Sequence, residues 1–243
     1  MKYLFLLISS IAFSQQTHFV DFKSVLGKIT VNPTERSVSG DVYYEFEVLK
    51  SIDTIKIDAQ NMDFSNLKLN GKTVNFSNTQ KELQIIFPFK KGKNKLAFHY
   101  LAKPKQTIYF IGSEEKDNLQ IWTQGQGKYT SHWFPSFDDV NEKVIFNLDI
   151  SFEKGYQVIS NGKLDLKSEL AGVSTWNYRM QKPMSSYLLM LAIGKYEKQT
   201  QYSHSGIPLE MYYEPKDKSR FEPTYRYSKT MFDFLEKEIG VKY

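Results

Sequence analysis

The sequence predicts a mainly β protein: an antiparallel β-sandwich followed by one amphipathic helix at the C-terminus. Aromatic residues make up 15% of the 243 residues, with 18 Phe and 16 Tyr against 3 Trp, and aromatic rings suit a pleated, half-buried surface. From Val38 to Tyr213, short runs alternate apolar and polar residues between turn signals, as the strands of a sandwich do. After Pro215 the apolar spacing changes to that of a helix. With 41% hydrophobic residues a packed core is available, and wholesale disorder is excluded.

The N-terminus reads as a leader. Lys2 precedes the apolar run Tyr3 to Ile8, and small residues follow at Ala12 and Ser14. A basic start, a short apolar core and small residues at the cut describe a secretory signal over residues 1–14. The run is too short to span a bilayer, which takes about 20 apolar residues. An exported product without stable membrane insertion, periplasmic or extracellular, is therefore expected. The absence of cysteine excludes disulfides, thiolate metal sites and cysteine nucleophiles. The 32 basic and 27 acidic residues are interspersed, giving a net charge of +5. Nucleic-acid binders cluster their cations on one face, so no nucleic-acid partner is expected.

The strands follow in order. In Val42 to Val48 the apolar Val42, Tyr44, Phe46 and Val48 share one face, with Glu45 and Glu47 on the other, the period of a strand with one wet side. Further strands are expected over Thr54–Ile57, Leu83–Phe87, Lys95–Leu101, Leu119–Thr123 and Val144–Phe152. Val158–Ser160, Thr175–Met180, Ser186–Ile193 and Leu209–Tyr213 complete the series. Asn70-Gly71, Lys91-Gly92-Lys93-Asn94 and Asn161-Gly162 supply turns between them. The cluster Lys90, Lys91, Lys93 and Lys95 reads as a solvated hairpin tip that discourages edge pairing. In the last segment Phe221, Tyr225, Phe232, Leu235 and Ile239 recur at helical intervals, and Gly240 is a natural stop. The helix either packs back on the sandwich or opens a second domain.

Local catalytic motifs are absent. His18, His99, His132 and His204 are widely separated, and none lies in H-E-x-x-H. No Gly-x-Ser-x-Gly elbow is present. Asp138 and Asp139 are adjacent, so on a strand their side chains diverge. The segment Thr123-Gln124-Gly125-Gln126-Gly127 stands out, because glycines allow close backbone approach and an uncharged amide offers both donors and an acceptor. On these residues alone it is either a polar recognition loop or an ordinary flexible one.

Thr123-Gln124-Gly125-Gln126, followed by Phe134-Pro135-Ser136-Phe137-Asp138-Asp139, resembles the N-terminal domain of zinc aminopeptidases of the aminopeptidase N family. In the same order come Lys143 to Leu148, the turn Ser160-Asn161-Gly162, and Pro183 to Leu189 leading to Ile193-Gly194-Lys195-Tyr196. The resemblance implies a saddle-shaped β domain over residues 15–214, with residues 215–243 the first helix of a thermolysin-like catalytic domain. It further implies that Gln126 binds the free α-amine of a peptide, with Gln124 lining the pocket beside it. Most members have Glu where this chain has Gln126, and some, including the leukotriene hydrolase branch, also carry Gln. Val140 replaces a proline common after the acidic pair, and the Phe134 to Asp139 segment is structural in the family.

The family's G-x-M-E-N loop, its H-E-x-x-H zinc helix and its downstream Glu ligand have no counterpart in these 243 residues. Zinc is thus implied for a full-length enzyme, with no ligands in this chain and no catalytic residues of its own. The expected partners are a peptide N-terminus and the missing catalytic domain, and the chain alone is expected to be inactive. The other reading is a non-catalytic exported β-sandwich that binds peptide or glycan on a face formed by Trp122, Tyr129 and Trp133.

Overall fold

The computed structural model of the protein describes residues 15–113, 115–116, 118–127, 129–241 and 243. The leader expected over residues 1–14 lies outside them. After a 3-10 turn at Gln16–His18 come β1 (Val20–Asn32), β2 (Ser37–Val48), β3 (Ile52–Asp58) and β4 (Met62–Leu69). Next are β5 (Lys72–Thr73), β6 (Phe76–Asn78), β7 (Glu82–Phe89), β8 (Gly92–Ala102), β9 (Ile108–Ile111) and β10 (Gln120–Thr123). A strap of irregular chain then leads to β11 (Lys143–Glu153), β12 (Gln157–Ser160), β13 (Lys163–Leu170) and β14 (Val173–Arg179). The short β15 (Met184–Ser185), β16 (Leu191–Gly194), β17 (Glu197–Tyr202) and β18 (Pro208–Tyr213) precede two helices, α1 (Lys218–Tyr225) and α2 (Ser228–Ile239).

The mainly β reading holds, with the strands divided among several sheets. The largest runs β13-β14-β11-β1-β2-β8-β4-β5, with β15 paired to β11. Smaller sheets run β12-β16-β10-β9 and β3-β7-β6, and β17 pairs β18. One pair departs from the antiparallel expectation: β1 and β11 are parallel, with Gly27 opposite Leu148. A parallel pair needs a long crossover, and here most of the domain lies between the two strands.

The apolar faces read from sequence point inward. Val42, Tyr44, Phe46 and Val48 are buried, as are Val144, Phe146, Leu148, Ile150 and Phe152. The aromatic bias is explained in the core. Phe22 packs on Phe46 at 5.0 Å and on Phe137 at 4.3 Å between ring centroids. Tyr44 meets Phe22 edge-on at 5.4 Å. Such pairs add to the burial of large apolar area.

Several local expectations change. The Asn70-Gly71 turn does join the hairpin β4–β5, with both residues at positive φ. The lysine cluster is not a hairpin tip. β7 and β8 belong to different sheets, and Lys93 and Lys95 lie within β8, between β2 and β4. Lys95 pairs with Glu45 across the strands at 2.7 Å. Asn161-Gly162 likewise carries the chain from one sheet to another. The terminal helix is two helices: Pro223 sits in the second turn of α1, where it lacks an N–H to donate. The chain starts again at Tyr227, whose carbonyl accepts the N–H of Met231 at 2.8 Å.

Candidate functional site

The Gln-Gly loop leaves the end of β10 and is fixed at its base. Thr123 Oγ1 accepts the Leu191 N–H at 2.8 Å, and the Gln124 N–H donates to the Thr107 carbonyl at 2.7 Å. Gly125 is buried, and a Cβ there would lie 2.7 Å from both Thr130 Oγ1 and the Tyr187 carbonyl oxygen. Only glycine fits so close an approach. Gly127 follows at φ 86°, a backbone that glycine takes without steric cost. Between them Gln126 is exposed, as is Gln124. The structure thus places both sequence-predicted residues on one short loop, with a rigid base and a solvent-facing amide at the tip.

The strap that follows is anchored at every turn. Thr130 Oγ1 donates to the Ser186 carbonyl at 2.8 Å, and Tyr44 Oη donates to the Pro135 carbonyl at 2.6 Å. Asp58 and Ser136 exchange backbone hydrogen bonds at 2.9 and 3.0 Å. The Asp58 carboxylate accepts the Asp138 N–H at 2.7 Å. Burial pushes the Asp58 carboxyl above its usual range, an effect opposed by that N–H. Ser186 Oγ bonds the Phe137 carbonyl, and Trp133 and Phe134 are fully buried. The Phe134 to Asp139 segment is therefore a structural brace that holds the loop's far end.

Beside the loop, His132 Nε2 lies 3.0 Å from Gln106 Nε2, and its ring is 6.0 Å from that of Tyr129. Partial burial pushes the His132 pKa down, favouring the neutral imidazole. A cavity of about 410 Å³ opens there, lined by Gln60, Asn61, Lys103, Pro104, Lys105, Gln106 and His132. Trp122, Tyr129 and Trp133 do not form one binding face: Trp133 is in the core, and Trp122 is half-buried against Tyr109 at 4.7 Å. Sequence reasoning passed over Thr107 and Asp58, whose partners lie far away in the chain, and it read Ser186 as the start of a strand where the chain forms a 3-10 turn over Ser186–Leu188.

Metal chemistry finds no support in these residues. Among the described residues no group of three or more His, Cys, Asp or Glu could hold a metal ion. His99 Nδ1 contacts Asp41 at 2.9 Å on the sheet surface, and the other histidines are far from it in sequence. The described residues therefore offer no ligand set that fits a zinc ion.

Residues 27–188 match the Peptidase M1 N-terminal domain family. The chain is 31% identical to glutamyl aminopeptidase of Bos taurus over 111 residues, covering 45% of this chain and 12% of that protein. It is 26% identical to leucyl aminopeptidase of Saccharolobus solfataricus over 156 residues, covering 64% of this chain and 20% of that protein. In fold it is similar to the crystal structure of an M1 zinc metallopeptidase from Deinococcus radiodurans. That match has a TM-score of 0.70 at 18% identity and covers 81% of this chain and 48% of the other. The chain thus spans a fifth or less of these curated relatives and about half of that solved structure. The family match covers the loop and the strap, and the chain belongs to the Peptidase M1 N-terminal domain family.

Proposed function

We propose that this chain is the amino-terminal part of an exported zinc aminopeptidase and that it reads the α-amine of the peptide substrate. The observation that carries the reading is the anchored loop that presents Gln126 in a chain of this family. Gln126 offers its side-chain carbonyl oxygen to the ammonium, and Gln124 borders the same pocket. A neutral acceptor binds an ammonium less strongly than a carboxylate, since charge-assisted bonds are roughly twice as strong. Residues 15–214 form the recognition domain, and residues 215–243 open the catalytic domain. That domain supplies zinc, which activates the attacking water. The leader over residues 1–14 directs export to the periplasm or the extracellular space.

The chain by itself lacks the group that activates water, so alone it is inactive. The test compares the purified 243-residue protein with the same chain carried in a complete enzyme, both given zinc and alanyl dipeptides. Free amino acid is expected only from the complete enzyme. Zinc-dependent release by the 243-residue protein would sink the proposal.

A further inference from the structure

Thr107, immediately before β9, stands out for its backbone, its side chain and its carbonyl. Its φ is 79°, in the left-handed region that β-branched residues avoid because Cβ crowds the backbone. The other described non-glycine residues at positive φ are Arg36, Asn61, Asn66, Asn70, Gln80 and Ala171, none of them β-branched. The Thr107 side chain is 3% exposed, and its hydroxyl has no hydrogen-bond partner among the described residues. Its carbonyl accepts the N–H of Gln124 at 2.7 Å.

These features converge on the loop. Ile108 lies opposite Thr123 in the β9–β10 pair, so the Thr107–Gln124 bond is one rung beyond the last paired residues. Gln124 is the first residue past β10, two positions before Gln126. On the other side of Thr107, Gln106 is tied to His132 at 3.0 Å, which fixes the segment entering the turn. A left-handed residue between two fixed points directs its carbonyl at the loop. Relaxation to negative φ would rotate the flanking peptide planes and turn that carbonyl away. Backbone strain and an unpartnered buried hydroxyl persist only where the surroundings over-determine them, and such outliers cluster at ligand-contacting sites.

We propose that Thr107 is a positioning residue for the amine-reading loop: its left-handed backbone holds Gln124 and so sets where Gln126 meets the substrate amine. The inference rests on the amine-recognition reading above. It makes the conformation of Thr107, more than its side chain, the functional property.

Thr107→Ala and Thr107→Gly separate the two roles. A residue that only fills space suffers more from Gly than from Ala. A residue needed for its left-handed backbone shows the reverse order, since Gly takes positive φ freely and Ala does not. In the 243-residue chain, hydrogen exchange of the Gln124 amide is expected to be about tenfold faster in Thr107→Ala and within about twofold of wild type in Thr107→Gly. In the complete enzyme, Thr107→Ala is expected to raise KM for free-amine peptides about tenfold, while Thr107→Gly stays near wild type. Inhibition by acetohydroxamate, a zinc chelator without an α-amine, should be unchanged in both. A larger loss in Gly than in Ala, or Gln124 exchange indifferent to Thr107→Ala, would overturn the assignment. An unchanged KM despite faster Gln124 exchange would overturn the part assigned to amine binding. If the complete wild-type enzyme does not cleave free-amine peptides, the amine reading fails, and exchange still decides whether Thr107 holds Gln124.

Discussion

Glu142 is 5% exposed, and its carboxylate accepts the Phe22 N–H at 3.1 Å. Burial pushes its pKa up to about 7, against the partial relief of that N–H, and the negative charges of Asp21 and Asp139 add to the rise. The folded chain therefore binds this proton more tightly than the unfolded chain, whose value is near 4.5. The contribution of Glu142 to stability is fully present below pH ~4.5 and is lost as pH rises through about 7. The difference amounts to roughly 3 kcal/mol at 1.4 kcal/mol per unit. Urea unfolding of wild type and Glu142→Gln at pH 5 and pH 8 checks this. The variant's relative stability should rise by about 2.5 kcal/mol between the two values, and a parallel pair of pH profiles would refute it. None of this was legible in the sequence, because Glu142 reads as one more surface acid after Asp138 and Asp139. Its burial depends on β1, which lies 120 residues away and was itself unrecognised. The glycines flanking Gln126 marked an unusual backbone in the sequence, whereas the roles given to Gln124 and Gln126 came from the family resemblance alone.

The loop, the strap and the terminal helices each make separate predictions as elements. Gly125→Ala places a methyl 2.7 Å from the Tyr187 carbonyl oxygen and from Thr130 Oγ1, so the loop must lift from its base. A loss of ~1–3 kcal/mol is expected, as for overpacking in a well-packed site, with a Tm decrease in thermal unfolding as the readout. At the other end, Ser205 Oγ donates to Glu236 at 2.5 Å and the His204 N–H to Asp233 at 2.6 Å, tying one side of α2 to the β17–β18 turn. On its other side Met231 is 62% exposed, Leu235 53% and Ile239 66%. An uncovered apolar stripe of this kind promotes association. The 243-residue chain should self-associate in analytical ultracentrifugation, and the triple change Met231→Lys, Leu235→Lys, Ile239→Glu should make it monomeric. A monomeric wild type at high concentration would refute the exposed stripe. Periodicity located the helical segment and its stop at Gly240. It could not show the break at Arg226–Tyr227, because the interval between Tyr225 and Phe232 reads identically through a turn of helical conformation.

At the scale of the molecule, period-two patterning located the strands whose inner faces meet in the core, such as β2 and β11. It missed β1, β4, β9, β13 and β17, and the short β5, β6 and β15. β13 is exposed along its whole length, so no apolar face marks it. β1 is bulged between Phe22 and Ser24, so its buried positions change from Val20 and Phe22 to Val25, Gly27, Ile29 and Val31, and the alternation is broken. Sheet membership was not legible either, since the same Asn-Gly signal joins a hairpin at Asn70 and crosses between sheets at Asn161. The resulting frame holds the Gln-Gly loop between β10, the strap and Thr107, with Thr107, Thr130, Tyr187 and Leu191 at its base. We propose that this frame serves to read a peptide's α-amine through Gln126. Its most direct test is kcat/KM of the complete enzyme for a free-amine peptide, comparing wild type with Gln126→Ala and Gln126→Glu. The account predicts a fall of about tenfold or more for Gln126→Ala and a rise for Gln126→Glu, as expected when a neutral acceptor is removed or replaced by a charged one. Equal kcat/KM values for all three enzymes would contradict it.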